Sequence, residues 1–184
     1  MKSVRIAVLA HNIRSAHNIG SLFRTCDGFG VEHLYLSGYS PYPQVPNDTR
    51  LPHVAERINK EISKTALGAE AEVPFSHVPH PLQLIDSFKS HGYNIIGLEQ
   101  HPSATLLPSL QPIRKSLLIL GEEIGGIPSD LLQTCTDIAE IPMEGKKESF
   151  NVSVAAGIAL YALKTGVRLQ EQPVTSQQQT LSQK

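Results

Sequence analysis

The feature that most constrains the fold of this chain is a regular alternation between short apolar runs and segments with helical periodicity. The apolar runs are nearly continuous, which is typical of strands covered on both faces. We predict strands at Val4–Leu9, His33–Leu36, Tyr93–Leu98, Ser116–Leu120 and Asp137–Ile141, with a weaker one at Glu72–Phe75. The helical patterns between them are Asn18–Gly28, Leu51–Leu67, Pro81–His91, Pro128–Cys135 and Asn151–Lys164. This order predicts an α/β fold with a mainly parallel sheet flanked by helices, whose functional loops leave the carboxyl ends of strands.

Composition limits the class of protein further. The 184 residues suffice for one domain with a sizeable core. With 40% hydrophobic and 18% charged residues, the chain is typical of a globular protein and not of a disordered one. A net charge of −1 excludes a basic surface over the whole protein, so any contact with nucleic acid must come from a local patch. Because Trp is absent and aromatic residues make up 5%, we do not expect a stacking platform for single strands.

Other expectations follow from features that the sequence does not have. The N-terminal segment does not resemble a signal peptide, and no apolar run reaches the roughly 20 residues of a membrane span. We therefore expect a cytoplasmic protein that makes no membrane contact. Cys26 and Cys135 are expected to be buried thiols, and the eight histidines have no metal-ligand spacing, so no metal is expected. Residues 169–184 are expected to form a frayed tail behind a domain of residues 1–168.

The first segment that suggests chemistry follows the first predicted strand and spans Asn12–Gly30. Its apolar residues fall on one helical face and are Ile19, Leu22, Phe23 and Cys26. Asn18 is placed to cap this helix, and Arg24 follows on another side, near the ends of the strands. Taken alone, this spacing is also typical of an ordinary cap and a surface arginine.

Two further segments each join a predicted strand to a helix. In Ser116–Leu132 the strand meets a loop with three glycines, which would let a ligand approach the backbone, although their spacing fits neither a Rossmann nor a Walker motif. In Ile141–Lys164 the run from Phe150 to Leu163 holds no charged residue. We expect its helix to be apolar on every face and buried all round, which suggests a homodimer formed through residues 151–164.

Together these segments resemble the SpoU/TrmH family of S-adenosylmethionine-dependent RNA ribose 2′-O-methyltransferases, within the SPOUT superfamily. The matching residues of the first segment are Asn18, Gly20, Arg24 and Thr25. Those of the second are Leu120, Gly121, Glu123, Gly126 and Ile127. Those of the third are Ile141, Pro142, Met143, Gly145, Ser149, Asn151, Val152, Ser153 and Val154. The motifs occur in the family's order, and the chain from Val4 to Lys164 fits the catalytic domain.

The resemblance implies a parallel sheet whose C-terminal part is a deep trefoil knot, an arrangement that general folding rules make very rare. It also implies a homodimer and S-adenosylmethionine held by loops after three strands. The implied cofactor-binding residues are Leu98, Glu99, Leu120, Gly121, Glu122, Ile127, Ile141, Met143 and Phe150. Two of them depart from the family pattern, because Phe150 stands where Leu is usual and Glu122 where Asn, Ser or Ala is common.

The implied reaction is methyl transfer to a ribose 2′-hydroxyl of tRNA or rRNA. The residues expected to carry it are Arg24, Asn18, Glu123, Ser149 and Asn151. By resemblance Arg24 would be the base, but guanidinium groups keep their proton in proteins, so we expect it to orient the substrate and stabilise the oxyanion. Asn18 would fix Arg24, and Glu123 would orient the cofactor loop or Asn18. Ser149 and Asn151 would hold the ribose or cofactor at a helix start.

RNA recognition is expected from basic side chains of the domain itself. The candidate phosphate contacts are Arg14, Arg50, Lys146 and Lys147. Two other functions stay open: an RNA-binding dimer without catalysis, and a SPOUT methyltransferase that acts on a base. Arg24 favours ribose as the acceptor, and the complete set of expected catalytic residues favours an enzyme.

Overall fold

The structure is a computed structural model that describes residues 4–111 and 113–171, with side chains to residue 166. In this part of the chain all strand pairs are parallel and form one seven-stranded sheet. The strands are β1 (Arg5–His11), β2 (Leu34–Ser37), β3 (Phe75–Val78), β4 (Asn94–Leu98), β5 (Thr105–Leu106), β6 (Lys115–Leu120) and β7 (Asp137–Glu140). Their order across the sheet is β3-β2-β1-β6-β4-β7-β5.

Helices cover both faces of the sheet, as the continuous apolar strands require. They are α1 (Ala16–Phe29), α2 (Pro52–Ala66), α3 (Ala69–Glu72), α4 (Pro81–Ser90), α5 (Ser129–Leu132) and α6 (Val152–Glu171), with a 3₁₀ turn at Leu107–Ser109. Along β1, Ile6 and Val8 join a core cluster with α1, α2 and α6, whereas Ala7 and Leu9 join a second cluster with α4 and α5. The predicted α/β class, with a parallel sheet between helices, is confirmed.

The weak strand prediction at Glu72–Phe75 is wrong in its position. The strand begins at Phe75 and ends at Val78, because the preceding residues form the short helix α3, which ends at Glu72. The two-residue strand β5 lies in a segment rich in Pro and Ser that gave no strand pattern. Periodicity cannot detect so short a strand, since two residues contain no repeat.

The N-cap of α1 is Ser15 and not Asn18, which corrects the capping prediction. The Ser15 hydroxyl accepts a 3.2 Å hydrogen bond from the backbone N–H of Asn18, which therefore lies inside the first turn of the helix. Ser is as good a cap as Asn, and it occupies the position three residues earlier that the bond to the third helical N–H requires. The side chain of Asn18 is consequently available for contacts outside the helix.

The two cysteines differ in burial. Cys26 is fully buried in α1, and burial raises the pKa of its thiol to about 12. Cys135 is only partly buried, so the predicted burial is incomplete, although desolvation still raises the pKa of its thiol to about 11. Both are free thiols, as predicted.

In the single chain helix α6 is buried on one face only, and the expected burial of its other face by a partner stays a prediction. One face packs into the core through Ala156, Ala159 and Leu160, while Val154 and Tyr161 on the other side are 49% and 62% exposed. The helix continues to Glu171, past the expected domain end at residue 168, and residues 172–184 of the expected tail lie outside the described residues. No helix in the described ranges has the length and apolarity needed to cross a membrane.

Candidate active site

A cleft opens where the neighbouring strands β6, β4 and β7 end, and its volume is about 260 Å³. Eight of the nine expected cofactor-binding residues line it: Leu98, Glu99, Leu120, Gly121, Glu122, Ile141, Met143 and Phe150. The ninth, Ile127, is 5% exposed and contributes its backbone N–H, which donates a 2.8 Å hydrogen bond to Oε2 of Glu99. The carboxyl ends of the three strands thus bring distant segments of the chain together, as parallel sheets do.

The cleft also contains residues that the sequence analysis missed. These are Gln100, Ile124, Glu140, Glu148 and Ala155, together with Gly126 and Val152, which were named only as matches to the family motifs. Gln100 and Glu140 could have been found, because each lies at or just beyond the end of a strand whose neighbours were already singled out. Gln100 bridges two loops, since its Nε2 donates a hydrogen bond to the backbone oxygen of Glu148. Ile124, 89% exposed at the tip of its loop, has no comparable sequence signal.

The glycine loop after β6 turns back on itself beside the cleft. Glu122 and Gly126 exchange two backbone hydrogen bonds of 3.1 Å, which close the loop. Gly126 has a φ of +67°, and a Cβ atom added to it would lie 2.2 Å from Oε2 of Glu99. A Cβ at Gly121 would lie 2.2 Å from the carbonyl carbon of Gly126. Gly121 is therefore required by close backbone packing, and Gly126 by its left-handed conformation and by the Glu99 carboxylate beside it.

Three of the five expected catalytic residues meet at the mouth of the cleft. Asn18 on α1 donates a 2.8 Å hydrogen bond from Nδ2 to Oε1 of Glu123, in the loop after β6. Asn151, at the start of α6, donates from Nδ2 to Oδ1 of Asn18 over 3.1 Å. The Oδ1 atom of Asn151 also accepts hydrogen bonds from the N–H and hydroxyl of Ser153, so it caps α6 and is fixed in orientation. Glu123 thus contacts Asn18, one of the two groups that it was expected to orient.

The other two expected catalytic residues have different positions. Ser149 is exposed and lines the cleft. Arg24 is exposed on α1, and no hydrogen bond joins it to Asn18 among the side chains that the structure describes. Six residues separate the two on the helix, which places them about 120° apart around its axis. The expected contact from Asn18 to Arg24 is therefore not made.

The adjacent carboxylates Glu122 and Glu123 have different partners. Whereas Glu123 accepts from Asn18, the Oε2 atom of Glu122 accepts a 2.5 Å hydrogen bond from the hydroxyl of Tyr39, in the loop after β2. This bond to Glu122 raises the pKa of Tyr39, and the nearby Arg14 lowers it. Each glutamate thus ties the loop after β6 to a different part of the protein.

Three of the four expected phosphate contacts, Arg14, Lys146 and Lys147, are exposed. The structure contradicts the expectation for Arg50, whose side chain is only 16% exposed. Its guanidinium forms an ion pair with Asp48, donates to the backbone oxygens of Tyr42 and Pro43, and lies 3.6 Å from the centre of the Tyr42 ring. The hydrogen bond from Arg50 also holds the pKa of Asp48 well below its usual range. Arg50 is a structural residue of this loop.

Comparison with known proteins identifies the family. The model of the SpoU rRNA Methylase family matches residues 5–161, which is most of the chain. The chain belongs to the SpoU rRNA methylase family. The resemblance deduced from the three sequence segments is thereby confirmed.

Relatives of the family are similar over most of this chain. The tRNA (guanosine(18)-2′-O)-methyltransferase of Aquifex aeolicus is 29% identical over 156 residues, which cover 85% of this chain and 67% of the relative. The 23S rRNA (guanosine-2′-O-)-methyltransferase RlmB of Nitrosomonas europaea is 31% identical over 156 residues, which cover 85% of this chain and 54% of the relative. This chain thus spans only part of the full length of these two relatives.

A solved structure shares the fold of this SpoU family member. The crystal structure of the A. aeolicus TrmH/SpoU tRNA modifying enzyme matches with a TM-score of 0.74 and 24% sequence identity. The match covers 92% of this chain and 78% of that one. The seven-stranded parallel sheet between helices is therefore an arrangement common to both proteins.

Proposed function

We propose that this SpoU family member transfers the methyl group of S-adenosylmethionine to a ribose 2′-oxygen of tRNA or rRNA. The products would be the 2′-O-methylated RNA, S-adenosylhomocysteine and a proton. The observation that carries this proposal is the hydrogen-bonded network of Asn18, Glu123 and Asn151 at the mouth of a cleft lined by the expected cofactor residues. The family membership and the names of the relatives support it.

The lining of the cleft suits this cofactor in polarity and charge. Leu98, Leu120 and Ile141 offer apolar surface for a flat adenine ring, and the bare backbone at Gly121 and Gly126 lets a ligand approach closely. The carboxylate side chains in the cleft suit a ligand with positive charge. They belong to Glu99, Glu122, Glu123, Glu140 and Glu148. When bound, S-adenosylmethionine supplies an electrophilic methyl group on a positively charged sulfur.

The residues of the chain would position the acceptor ribose. Asn18 holds Glu123 and Asn151 in fixed orientations, so that the mouth of the cleft is preorganised. Arg24, exposed on the same helix, would contact the RNA and stabilise the negative charge that develops on the 2′-oxygen. Ser149 would donate a hydrogen bond to the ribose or the cofactor from the rim of the cleft. The acceptor of the hydroxyl proton is not assigned.

The RNA backbone would be held by the exposed cations near this mouth. Arg14 follows β1, and Lys146 and Lys147 lie in the loop between β7 and α6, five of whose residues line the cleft. Phosphate contacts fix the position of an RNA without reading its sequence. We therefore expect these three residues to contribute to affinity for many RNAs, and no longer include Arg50 among them.

We also propose that the enzyme is a homodimer that uses α6. Val154, Ile158 and Tyr161 have the spacing i, i+4 and i+7 on one side of this helix and are 49%, 37% and 62% exposed. A second copy would cover this stripe. Sedimentation should show a dimer for the parent and a monomer for Ile158→Asp, while Leu67→Asp, at an exposed site on α2's C-terminal end, should stay dimeric. A monomeric parent would contradict the proposal.

The family's knot and the cytoplasmic location stay predictions.

The reaction itself is tested by incubating the protein with labelled S-adenosylmethionine and either unfractionated tRNA or total rRNA. Nuclease digestion and mass spectrometry then locate the methyl group. A 2′-O-methylated nucleoside from one pool supports the proposal and selects the substrate class. A methyl group on a base would contradict it and support the alternative SPOUT activity. Binding of cofactor and RNA without any transfer would favour the alternative of an RNA-binding dimer.

A further inference from the structure

Tyr39 is an aromatic residue that the sequence analysis did not single out. It lies in the loop after β2, two positions beyond the end of that strand, and is 53% exposed. Its hydroxyl nevertheless reaches Glu122, 83 residues away in sequence, in the wall of the cleft. An exposed aromatic ring therefore stands beside the proposed active site.

The ring is held at both ends. The hydroxyl donates its hydrogen bond to Oε2 of Glu122, and the backbone N–H of Tyr39 donates a 3.3 Å hydrogen bond to Oδ1 of Asn12. Asn12 itself has a φ of +58°, and its side chain packs closely against Gly38, so the loop approaches the end of β1. These two hydrogen bonds fix the direction of the ring. Because the Tyr39 side chain is already ordered, it would lose little conformational entropy when a ligand covers its face.

The surroundings of the ring suit RNA. The exposed Arg14 guanidinium lies near the Tyr39 hydroxyl and offers positive charge for a phosphate. Unpaired bases of RNA are recognised by stacking on aromatic side chains, with arginine or lysine on the adjoining phosphates. An exposed, fixed tyrosine beside an exposed arginine provides both elements.

We propose that Tyr39 is a substrate-binding residue on which an unpaired base of the RNA stacks while its ribose faces the cleft. The proposal rests on the proposed function, because it assigns a position to the RNA of that reaction. It also revises the expectation, drawn from the low aromatic content, that the protein has no stacking platform. A single well-placed ring suffices for one base, whatever the overall composition.

A tryptophan in this position makes the contact directly observable. The chain contains no Trp, so Tyr39→Trp introduces its only indole fluorophore. We expect unfractionated tRNA or total rRNA to quench this emission, because a stacked base lies against the ring. Heparin, a polyanion without bases, should leave it unchanged. Ser90→Trp, at an exposed position in the last turn of α4 and at the opposite end of the sheet from the cleft, should respond to neither.

Steady-state kinetics distinguish RNA stacking from an effect on the cofactor loop. Tyr39→Ala should raise the KM for RNA by roughly 5- to 150-fold, the range measured for loss of one base–aromatic stack. The dissociation constant for S-adenosylmethionine, measured by calorimetry, should stay within about twofold. Tyr39→Phe keeps the ring and loses only the bond to Glu122, so its KM for RNA should rise less than that of Tyr39→Ala.

Three results would overturn the assignment of Tyr39. One is a Tyr39→Trp emission that RNA does not quench under conditions in which the parent methylates that RNA. Another is quenching by heparin as well, and the third is a weakened cofactor affinity with an unchanged KM for RNA. In all three the parent is active, so they count against the stacking role alone. A parent that methylates neither RNA pool instead contradicts the proposed function, and the assignment of Tyr39 with it.

Discussion

The side-chain amide of Asn18 lies 2.8 Å from Oε1 of Glu123, although 105 residues separate the two in sequence. The same amide accepts a hydrogen bond from Asn151, 133 residues away. One side chain thus joins α1, the glycine loop after β6 and the start of α6. This is possible because Ser15 caps α1 and leaves the Asn18 side chain free for these contacts.

Asn18→Asp should therefore disrupt the site with almost no change of shape. The substitution replaces the Nδ2 donor with an oxygen that faces the Glu123 carboxylate, and like charges at hydrogen-bond distance repel. We expect kcat/KM to fall by roughly 10- to 100-fold at pH 8, with the thermal midpoint nearly unchanged.

Adding Glu123→Gln to Asn18→Asp restores a donor–acceptor pair in the reverse direction. The double variant should recover part of the activity lost in Asn18→Asp, and the coupling between the two sites should be about 0.5–3 kcal/mol. Strictly additive losses in this double-mutant cycle would show that the hydrogen bond does not orient the catalytic groups.

Arg24→Ala should nearly abolish methyl transfer while S-adenosylmethionine still binds. Arg24 is exposed on α1 and lies outside the residues that line the cleft, so the cofactor site should remain intact. Loss of a group that stabilises developing charge costs about 10²- to 10³-fold in kcat. Arg57→Ala, which removes an exposed arginine of α2, is the matched control and should be fully active. If calorimetry showed that Arg24→Ala no longer binds the cofactor, its role would be structural.

Gly126→Ala should damage the cofactor cleft. The added methyl group would lie 2.2 Å from Oε2 of Glu99, and the residue has a φ of +67°, which costs about 1–2 kcal/mol for an L side chain. We expect at least tenfold weaker binding of S-adenosylmethionine, because the bond from Ile127 to Glu99 must shift. Gly145→Ala is the control, since a Cβ there meets no atom within 4 Å. Equal affinities of the two variants would contradict the close packing of this loop.

Arg50→Lys and Arg14→Ala should separate a structural arginine from an RNA contact. A lysine cannot reproduce the forked contacts of Arg50 to Asp48 and the loop backbone, so Arg50→Lys should lower the free energy of unfolding by about 1–3 kcal/mol. Its RNA binding should keep the salt dependence of the parent. Arg14→Ala should leave stability unchanged and lower the salt slope of binding by about one phosphate contact. The opposite pattern would reinstate Arg50 as a phosphate ligand.

Stability should fall as the pH is lowered, in part because of His33. Burial lowers the pKa of His33, which stacks on Tyr35 and shares a 2.9 Å hydrogen bond with Ser76. Between the lowered folded pKa and the unfolded value of about 6.5, the unfolded state binds more protons, so stability rises with pH. The neutral, buried His33 thus contributes its full stabilisation above pH 6.5. This stabilisation is lost as the pH falls from about 6.5 through the folded pKa.

Urea unfolding of the His33→Gln variant at pH 7.5 and 5.5 measures this contribution. The variant should lose less stability between the two pH values than the parent. His53→Gln, at an exposed position of α2, is the control and should follow the parent. A pH dependence of His33→Gln equal to that of the parent would contradict the proposed contribution.

Local sequence patterns predicted most of the secondary structure. The apolar runs of β1 and β6 are recognisable because both faces of these central strands are buried, which leaves no polar residue to interrupt the run. The strand β3 was misplaced, since it lies at the edge of the sheet and its residues are only partly buried. Hydrophobicity identifies a strand only to the extent that the strand is covered.

The sequence by itself determined the α/β class, the family and eight of the nine expected residues that line the cleft, because these depend on apolar runs and on motifs of adjacent residues. Only the tertiary structure decided the partners of polar side chains. It selected Asn18 from the two partners that the resemblance left open for Glu123, and it paired Tyr39 with Glu122 and Arg50 with Asp48. The reason is physical: a hydrogen bond depends on positions accurate to a few tenths of an ångström, and parallel crossovers bring together loops whose separation in sequence carries no such information.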